Sequence, residues 1–365
     1  MPTKAPKARP ATAARPARAG RPPGRASGSV SLAARPVPAP TAAARSPGMS
    51  SPSRPAVSRV SVDEASEGQR LDNFLLKTLK GVPKTHVYRI IRSGEVRVNG
   101  GRAQADQRLA LHDEVRLPPV SRPATPADKA VPARDFTVLF EDEVLLAIDK
   151  PAGVAVHGGS GVDFGVIEQL RRARPQARFL ELVHRLDKET SGVLLVAKRR
   201  SALTALQDQM RRRETGKVYL ALVQGEWPDS RKVIDVALHK YLTPEGERRV
   251  RVSTAEEGRR SVTLVKVLRR WTGFSLLEVT IKTGRTHQIR VHLASAGCPI
   301  VGDDKYGDFA LNKAVARSHA AGGWGLARMF LHARSLSFDH PVSGERITVD
   351  APLPQDCDNA LKWIP

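Results

Sequence analysis

The chain has 365 residues, too many for one small domain, so two folded domains are expected. It has only two cysteines and no run of eighteen apolar residues, which argues against a disulfide framework and a membrane-spanning helix. The formal net charge of +22 predicts a polyanionic partner, either nucleic acid or an anionic membrane surface.

Residues 1–57 combine frequent Pro and Ala with ten Lys and Arg and no Asp or Glu. Because this segment has few large apolar side chains to bury, we predict a disordered tail. Two other interpretations stay open: an organellar transit peptide, which the prolines disfavour, and translation that begins at Met49. A net +22 less these ten charges leaves +12, so the rest of the chain is basic as well.

Residues 58–118 predict two short amphipathic helices followed by a hairpin. Apolar residues recur every three or four positions from Leu71 to Leu79 and from Val87 to Ile91, and the turn at Asn99 is typical of a hairpin. Four basic residues around the second helix and the hairpin are candidates for contacting an RNA backbone: Lys84, Arg89, Arg92 and Arg97. The alternative is that they only form a solvated helix face.

The stretch GQRLDNFLLKTLKGVPKTHVYRIIRSGEVRVNGG resembles the S-four-type RNA-binding domain, which implies an accessory module that contacts RNA. Residues 119–134 are rich in Pro and Ala and are predicted to be a linker.

Residues 135–365 predict a larger α+β domain with a mixed, mainly antiparallel sheet. Apolar runs indicate strands at 136–140, 144–148, 193–197, 218–223, 262–267 and 274–281, with a hairpin turn at 271–273. Helical spacing indicates helices at 165–172, 201–212 and 286–296. No glycine-rich phosphate loop is present, so no nucleotide cofactor is expected.

Two polar clusters are candidates for chemistry. In the first, Asp187 lies on a turn just before an apolar strand, flanked by Arg185 and Lys188, whose charges favour an ionised carboxylate. A plain turn or capping role for Asp187 is the alternative.

The second cluster surrounds a strand-to-helix junction, with Thr286 as the expected N-cap, and consists of Lys282, Arg285, His287, Arg290 and His292. This cluster is suited to binding a phosphate or pairing with a buried carboxylate. The alternative is that it is only a basic surface. We expect no metal, because His287 and His292 have no evident third ligand.

Residues 135–349 resemble the pseudouridine synthase family through the segments AIDKPAGVAVHGG, LVHRLDKETSGVLLVAK, KVYLALVQG, TGRTHQIRVHLASAG and LHARSLSFDHP. The resemblance implies an RNA isomerase without a cofactor. It places the family's catalytic aspartate at Asp187, its active-site tyrosine at Tyr219, its basic residue at Arg290, an apolar pocket residue at Leu331, and a base-displacing arginine at Arg185.

Within the family, the stretch HGGSGVDFGVIEQL is most like enzymes that modify several uridines of large-subunit ribosomal RNA. The resemblance therefore implies ribosomal RNA as the partner. We also expect a cytoplasmic protein with no membrane partner, and a monomer by default. Two alternatives stay open: a synthase of the transfer-RNA or D type, and a non-catalytic RNA-binding assembly factor that keeps the fold.

Overall fold

The computed structural model describes residues 56–120, 131–159, 162–322, 325–362 and 364. All of them belong to one compact unit, Arg54–Pro365. Nearly all of the predicted disordered tail and most of the predicted linker lie outside the described residues. Among the helices that the structure describes, none is both long and apolar enough to cross a membrane.

The N-terminal part is a small four-stranded antiparallel sheet covered by two helices. In chain order its elements are β1 (Ser58–Ser61), α1 (Leu71–Thr78), α2 (Lys84–Arg92), β2 (Arg97–Val98), β3 (Gly101–Arg102) and β4 (Glu114–Leu117). The strand order is β1-β4-β2-β3. As the spacing predicts, Leu71, Phe74, Val87 and Ile90 are buried in its core.

The hairpin turn is as predicted, because Asn99 and Gly100 both have positive φ, as a two-residue turn requires. The tight turn joins β2 to the short β3, while β4 pairs with the other edge of β2. The sequence pattern had not indicated β3.

The larger part is built on one eleven-stranded sheet. Its elements are β5 (Val138–Glu141), β6 (Leu145–Lys150), α3 (Val166–Ala173), β7 (Glu181–Leu182), β8 (Ser191–Ala197), α4 (Arg200–Arg212), β9 (Gly216–Gln224), β10 (Val233–Leu242), β11 (Arg248–Ser253), β12 (Arg259–Trp271), β13 (Phe274–Ile281), α5 (Gln288–Ser295), α6 (Phe309–Ala320), β14 (Leu331–Asp339), β15 (Arg346–Asp350) and α7 (Gln355–Lys362).

The main path of the sheet runs β11-β10-β12-β13-β9-β14-β8-β6-β5. Among the described strands, β8 and β14 form the one parallel pair, so the sheet is mixed but mainly antiparallel, as expected. The six strands and three helices predicted from the sequence are all present, with ends shifted by a few residues.

One capping prediction is wrong. The N-cap of α5 is His287 rather than Thr286; it has φ 52° and no side-chain capping bond. The loop before α5 is shaped instead by buried Gln288, whose amide oxygen accepts from the Thr283 hydroxyl at 2.7 Å and from the Arg285 backbone N–H at 3.1 Å.

Strands β8 and β14 approach each other closely at Gly192. This residue has φ +106°, and a Cβ on it would lie 2.2 Å from the carbonyl oxygen of Ala333. Only glycine fits there. The close approach brings the loop that precedes β8, which carries Asp187, next to the start of β14.

Candidate active site

A cleft of about 480 Å³ lies over the middle of the large sheet. It is lined by all five residues that the sequence placed in a catalytic site: Arg185, Asp187, Tyr219, Arg290 and Leu331. They come from the β7–β8 loop, β9, α5 and the start of β14. Because β8, β14 and β9 are neighbours in the sheet, residues far apart in the chain meet in one place.

Asp187 presents a partly exposed carboxylate to the cleft, with 22% of its side chain accessible. Its Oδ2 lies 3.8 Å from Nη1 of Arg290 and 3.9 Å from Nε2 of His287. Among the described residues, the Lys or Arg within 4 Å of this carboxylate is Arg290; the flanking Arg185 and Lys188, which the sequence pattern favoured, form no ion pair with it. Both are exposed, and Lys188 forms its ion pair with Glu189 at 3.9 Å.

Arg290 is held from behind by a buried aspartate. Its Nε and Nη2 donate to the two carboxylate oxygens of Asp303 at 2.8 and 2.6 Å, and Nη2 also donates to Asp304 at 3.0 Å. Burial would lower the pKa of Arg290, but the bonds and charge of Asp303 raise it, so it stays charged. The fork–fork geometry fixes the plane of the guanidinium and aims Nη1 at Asp187.

His287 belongs to a short hydrogen-bonded chain beside this pair. The backbone N–H of Val250 donates to the Tyr306 hydroxyl oxygen at 3.0 Å, and that hydroxyl lies 2.8 Å from Nδ1 of His287. Because the described residues offer the hydroxyl no other acceptor, we assign it as the donor to Nδ1. His287 then carries its proton on Nε2, the atom that faces Asp187.

Burial lowers the pKa of His287, while the charge of Asp187 opposes this shift. The ring is therefore neutral at neutral pH. Its left-handed backbone conformation is uncommon for a residue with a side chain, and such conformations are concentrated at functional sites.

Tyr219 forms an aromatic wall of the cleft and is only 9% exposed. Burial, and after it the nearby Asp187 carboxylate, raises the pKa of the phenol. The hydroxyl therefore stays protonated at neutral pH. This favours a stacking or hydrogen-donating role over a role as a base.

The rest of the cleft lining is strongly basic. Cations surround the single carboxylate of Asp187 on the cleft wall: Arg185, Arg211, Arg213, Lys217, Lys282, Arg285 and Arg290. Such a concentration of one charge attracts a polyanionic substrate and raises its local concentration.

Comparison with known proteins agrees with this geometry. A family model described as RNA pseudouridylate synthase matches residues 144–295, and one described as the S4 domain matches residues 69–115. The chain is 49% identical over 314 residues to the ribosomal large subunit pseudouridine synthase C of Salmonella typhimurium strain LT2, which covers 84% of this chain and 95% of that protein. The chain belongs to the pseudouridine synthase family.

The protein of the same name from Escherichia coli strain K12 is 48% identical over 316 residues, covering 85% of this chain and 97% of that one. Among solved structures, human RNA pseudouridylate synthase domain containing 4 is similar with a TM-score of 0.50 and 28% identity, covering 62% of this chain and 92% of that chain. The family, the fold class and the enzyme class expected from the sequence are thereby confirmed: this synthase is an isomerase.

The four RNA-binding candidates of the S-four domain lie outside the cleft lining. Lys84, Arg89 and Arg92 are exposed on α2, and Arg97 is half-buried in β2. Arg89 is within 3.5 Å of Glu95, so part of its charge is balanced. Their role in binding RNA stays a prediction.

The two histidines considered as metal ligands both have partners within the protein. His287 is bonded to Tyr306, and the buried His292 has its Nδ1 2.9 Å from the Thr263 hydroxyl. In the part of the chain that the structure describes, no three His, Cys, Asp or Glu residues are grouped as metal ligands would be.

Sequence reasoning missed Asp303 and Tyr306, which position Arg290 and His287. Their signal is the segment GDDKYG, in which two acids and an aromatic residue stand between glycines. What the sequence did not show is that this segment packs against α5.

Lys150, in the segment AIDKPAG, was also missed. Its buried ammonium donates to the carbonyls of Pro151 and Val154 at 2.8 Å each and to the carbonyl of Lys188 at 3.1 Å. Burial lowers its pKa to about 7, although Glu189 and Asp187 oppose the shift. Lys150 thus ties β6 to the residue next to Asp187.

Proposed function

We propose that this synthase converts uridines of large-subunit ribosomal RNA to pseudouridine. The supporting observation is the 48–49% identity to two proteins named large subunit pseudouridine synthase C, over nearly their whole length. The basic cleft with a single accessible carboxylate is consistent with an RNA substrate.

The reaction breaks the bond between C1′ of the ribose and N1 of uracil, turns the base, and joins C1′ to C5. The proton leaves C5 and a proton is gained at N1, so the product is an isomer and no oxidant or reductant is consumed. A glycosidase needs a second carboxylate to activate water. Here the base is recaptured in the same cleft, and one carboxylate suffices.

We assign the catalytic role to Asp187, acting either by attack on C1′ or by removal of a ribose proton. Arg290 holds and orients this carboxylate. Tyr219 stacks on the uracil with its hydroxyl protonated, and Leu331 supplies the apolar wall beside it. Arg185, exposed at the mouth of the cleft, fills the gap that a flipped uridine leaves in its helix.

We also propose that residues 58–118 and 135–365 are the RNA-binding and catalytic domains of a monomer that works in the cytoplasm. Light scattering during size-exclusion chromatography tests the monomer. A mass of twice 39.7 kDa would contradict it.

The test of the main proposal is pseudouridine mapping of large-subunit ribosomal RNA from cells that lack the gene, complemented with the intact protein or with Asp187→Ala. We expect specific sites to disappear and to return only with the intact protein. Loss of transfer-RNA sites instead would keep the chemistry and reject the substrate. Restoration by Asp187→Ala would reject Asp187 as the catalytic residue.

A further inference from the structure

The sheet of the S-four domain carries one arginine on each of its four strands. In the strand register, Arg59 is opposite Arg116, Arg116 is opposite Arg97, and Arg97 is opposite Arg102. Directly opposed residues of antiparallel strands point to the same face. These four residues therefore form one line across the sheet, which we call the arginine row.

The row occupies the face away from the core. The valines next to it in the strands, Val60, Val115 and Val98, are paired with one another across the sheet and pack into the domain core. Because side chains alternate between the two faces of a strand, the arginines lie on the opposite face. With strands about 4.8 Å apart, the row is roughly 14 Å long.

Like charges placed directly opposite one another destabilise a sheet. The row contains three such contacts in succession. Among the described residues its carboxylate partner is Glu114, whose Oε1 lies 2.9 Å from Arg59 at the solvent-exposed end. The fold thus keeps an arrangement that is unfavourable for the protein alone.

The guanidinium groups of two other arginines in the row donate to backbone carbonyl oxygens, which fix their position without neutralising their charge. Arg116 donates to the Glu95 carbonyl at 2.9 Å, and Arg102 donates to the Arg92 carbonyl at 2.6 Å. Arg97 lies between them, half-buried, and has no bonding partner among the described residues. The row therefore holds guanidinium groups in fixed positions, and their remaining N–H groups can bind an anion.

We propose that the arginine row is a binding site for the phosphate backbone of RNA. The inference rests on the proposed function, because it takes RNA as the substrate. Guanidinium groups bind phosphate oxygens in a bidentate manner, and such contacts position an RNA without reading its sequence. Since Arg102 is bonded to the last residue of α2, the row continues the basic side of that helix.

The experiment measures binding of a labelled stem-loop RNA, and of a scrambled stem-loop of the same length, to the full chain over 50 to 200 mM salt. The variants are Arg97→Gln and Arg97→Gln/Arg116→Gln. A matched control removes two exposed charges from α6, Lys313→Gln/Arg317→Gln. If the row binds phosphates, the double variant loses affinity for both RNAs equally. Its loss of affinity over this salt range is roughly tenfold smaller than the parent's.

Thermal unfolding without RNA separates binding from structure. Arg97→Gln removes a repulsive contact, so its unfolding temperature is expected to equal or exceed that of the parent. Its KM for ribosomal RNA rises while kcat is unchanged. A lower unfolding temperature with unchanged RNA affinity would overturn the proposal and make Arg97 structural.

The outcomes for the two proposals differ. If the parent forms pseudouridine and the double variant binds RNA with the parent's affinity and salt dependence, the arginine row is rejected and the proposed function stands. If the parent makes no pseudouridine in ribosomal RNA but the double variant still loses RNA affinity, the function is rejected and the row stands.

Discussion

Replacing Asp303 by Asn tests the idea that a buried carboxylate behind Arg290 sets up the active site. Arg290 and Asp303 side chains are 4% and 1% exposed and share two hydrogen bonds. Asn has nearly the same shape but no charge, and its amide nitrogen would face a guanidinium N–H. Breaking a buried pair in this way costs about 3–5 kcal/mol, because a buried charge remains without its partner.

For a domain of this size, each kcal/mol lowers the unfolding temperature by about 2–4 °C. Calorimetry of Asp303→Asn should therefore show a decrease of roughly 6–20 °C. The matched control is Asp304→Asn, which removes the same charge from a side chain that is 68% exposed. An exposed ion pair contributes about 0–1 kcal/mol, so this variant should unfold close to the parent.

The pH dependence gives an independent test. Burial alone would raise the pKa of Asp303, but the hydrogen bonds and charge of Arg290 hold it below its usual range. The stability that the pair contributes is thus present above the unfolded-state pKa and is lost as the pH falls through the lower folded-state value. Asp303→Asn should lack this loss.

Turnover should fall with little change in RNA affinity, since Asp303 does not line the cleft. Asp303→Asn protein that unfolds within 1 °C of the parent and keeps its turnover would refute this account of the site.

Three further predictions concern groups around Asp187. In Tyr306→Phe, His287 loses the hydroxyl that donates to its Nδ1, so the pKa of His287 should rise. Below about pH 6.5 the protonated ring should then pair with Asp187 and reduce turnover. A pH–rate profile identical to the parent's would reject the assigned tautomer. Gly192→Ala should lower the free energy of unfolding in urea by at least about 2 kcal/mol, because its Cβ would overlap the facing strand at a positive φ; an unchanged midpoint would contradict the close approach. For Lys150 the folded-state pKa of about 7 lies below the ordinary value of 10.5, so between these two pH values the unfolded chain binds more protons than the folded one. The free energy of unfolding should therefore rise from pH 7 to pH 10, and Lys150→Met should lack this rise. Parallel curves of stability against pH for the two proteins would reject the lowered pKa of Lys150.

Local patterns in the sequence predicted most of the elements. The heptad-like spacing of Leu71, Phe74 and Leu75 indicated α1, and the run from Phe274 to Ile281 matches β13 at both ends. Strands β10 and β11 were not predicted, although polar and apolar residues alternate along parts of both, as in a half-buried strand. Strand β10 pairs with β12, and β11 pairs with β10, so their place in the sheet depends on tertiary pairing.

The sequence identified the residues of the site but not the contacts between them. His287 was considered as a metal ligand, whereas in the structure its Nδ1 is bonded to Tyr306 and its Nε2 faces Asp187 at 3.9 Å. The arginine row was likewise out of reach. Arg59 and Arg116 are unremarkable in the sequence, and only the strand register places them in line with Arg97.

The position of Asp303 resolves a conflict within the cleft. A carboxylate surrounded by cations tends to form direct hydrogen bonds with them. A carboxylate whose lone pairs are all used in this way is a poor nucleophile and a poor base. Asp303 occupies Nε and Nη2 of Arg290, so only Nη1 faces Asp187, at 3.8 Å, beyond hydrogen-bond distance. The charge of Asp187 is thereby stabilised and oriented while its lone pairs stay available to the substrate. Removing Asp303 would free Arg290 to bond Asp187 directly, which is why that buried residue, outside the cleft lining, should control turnover.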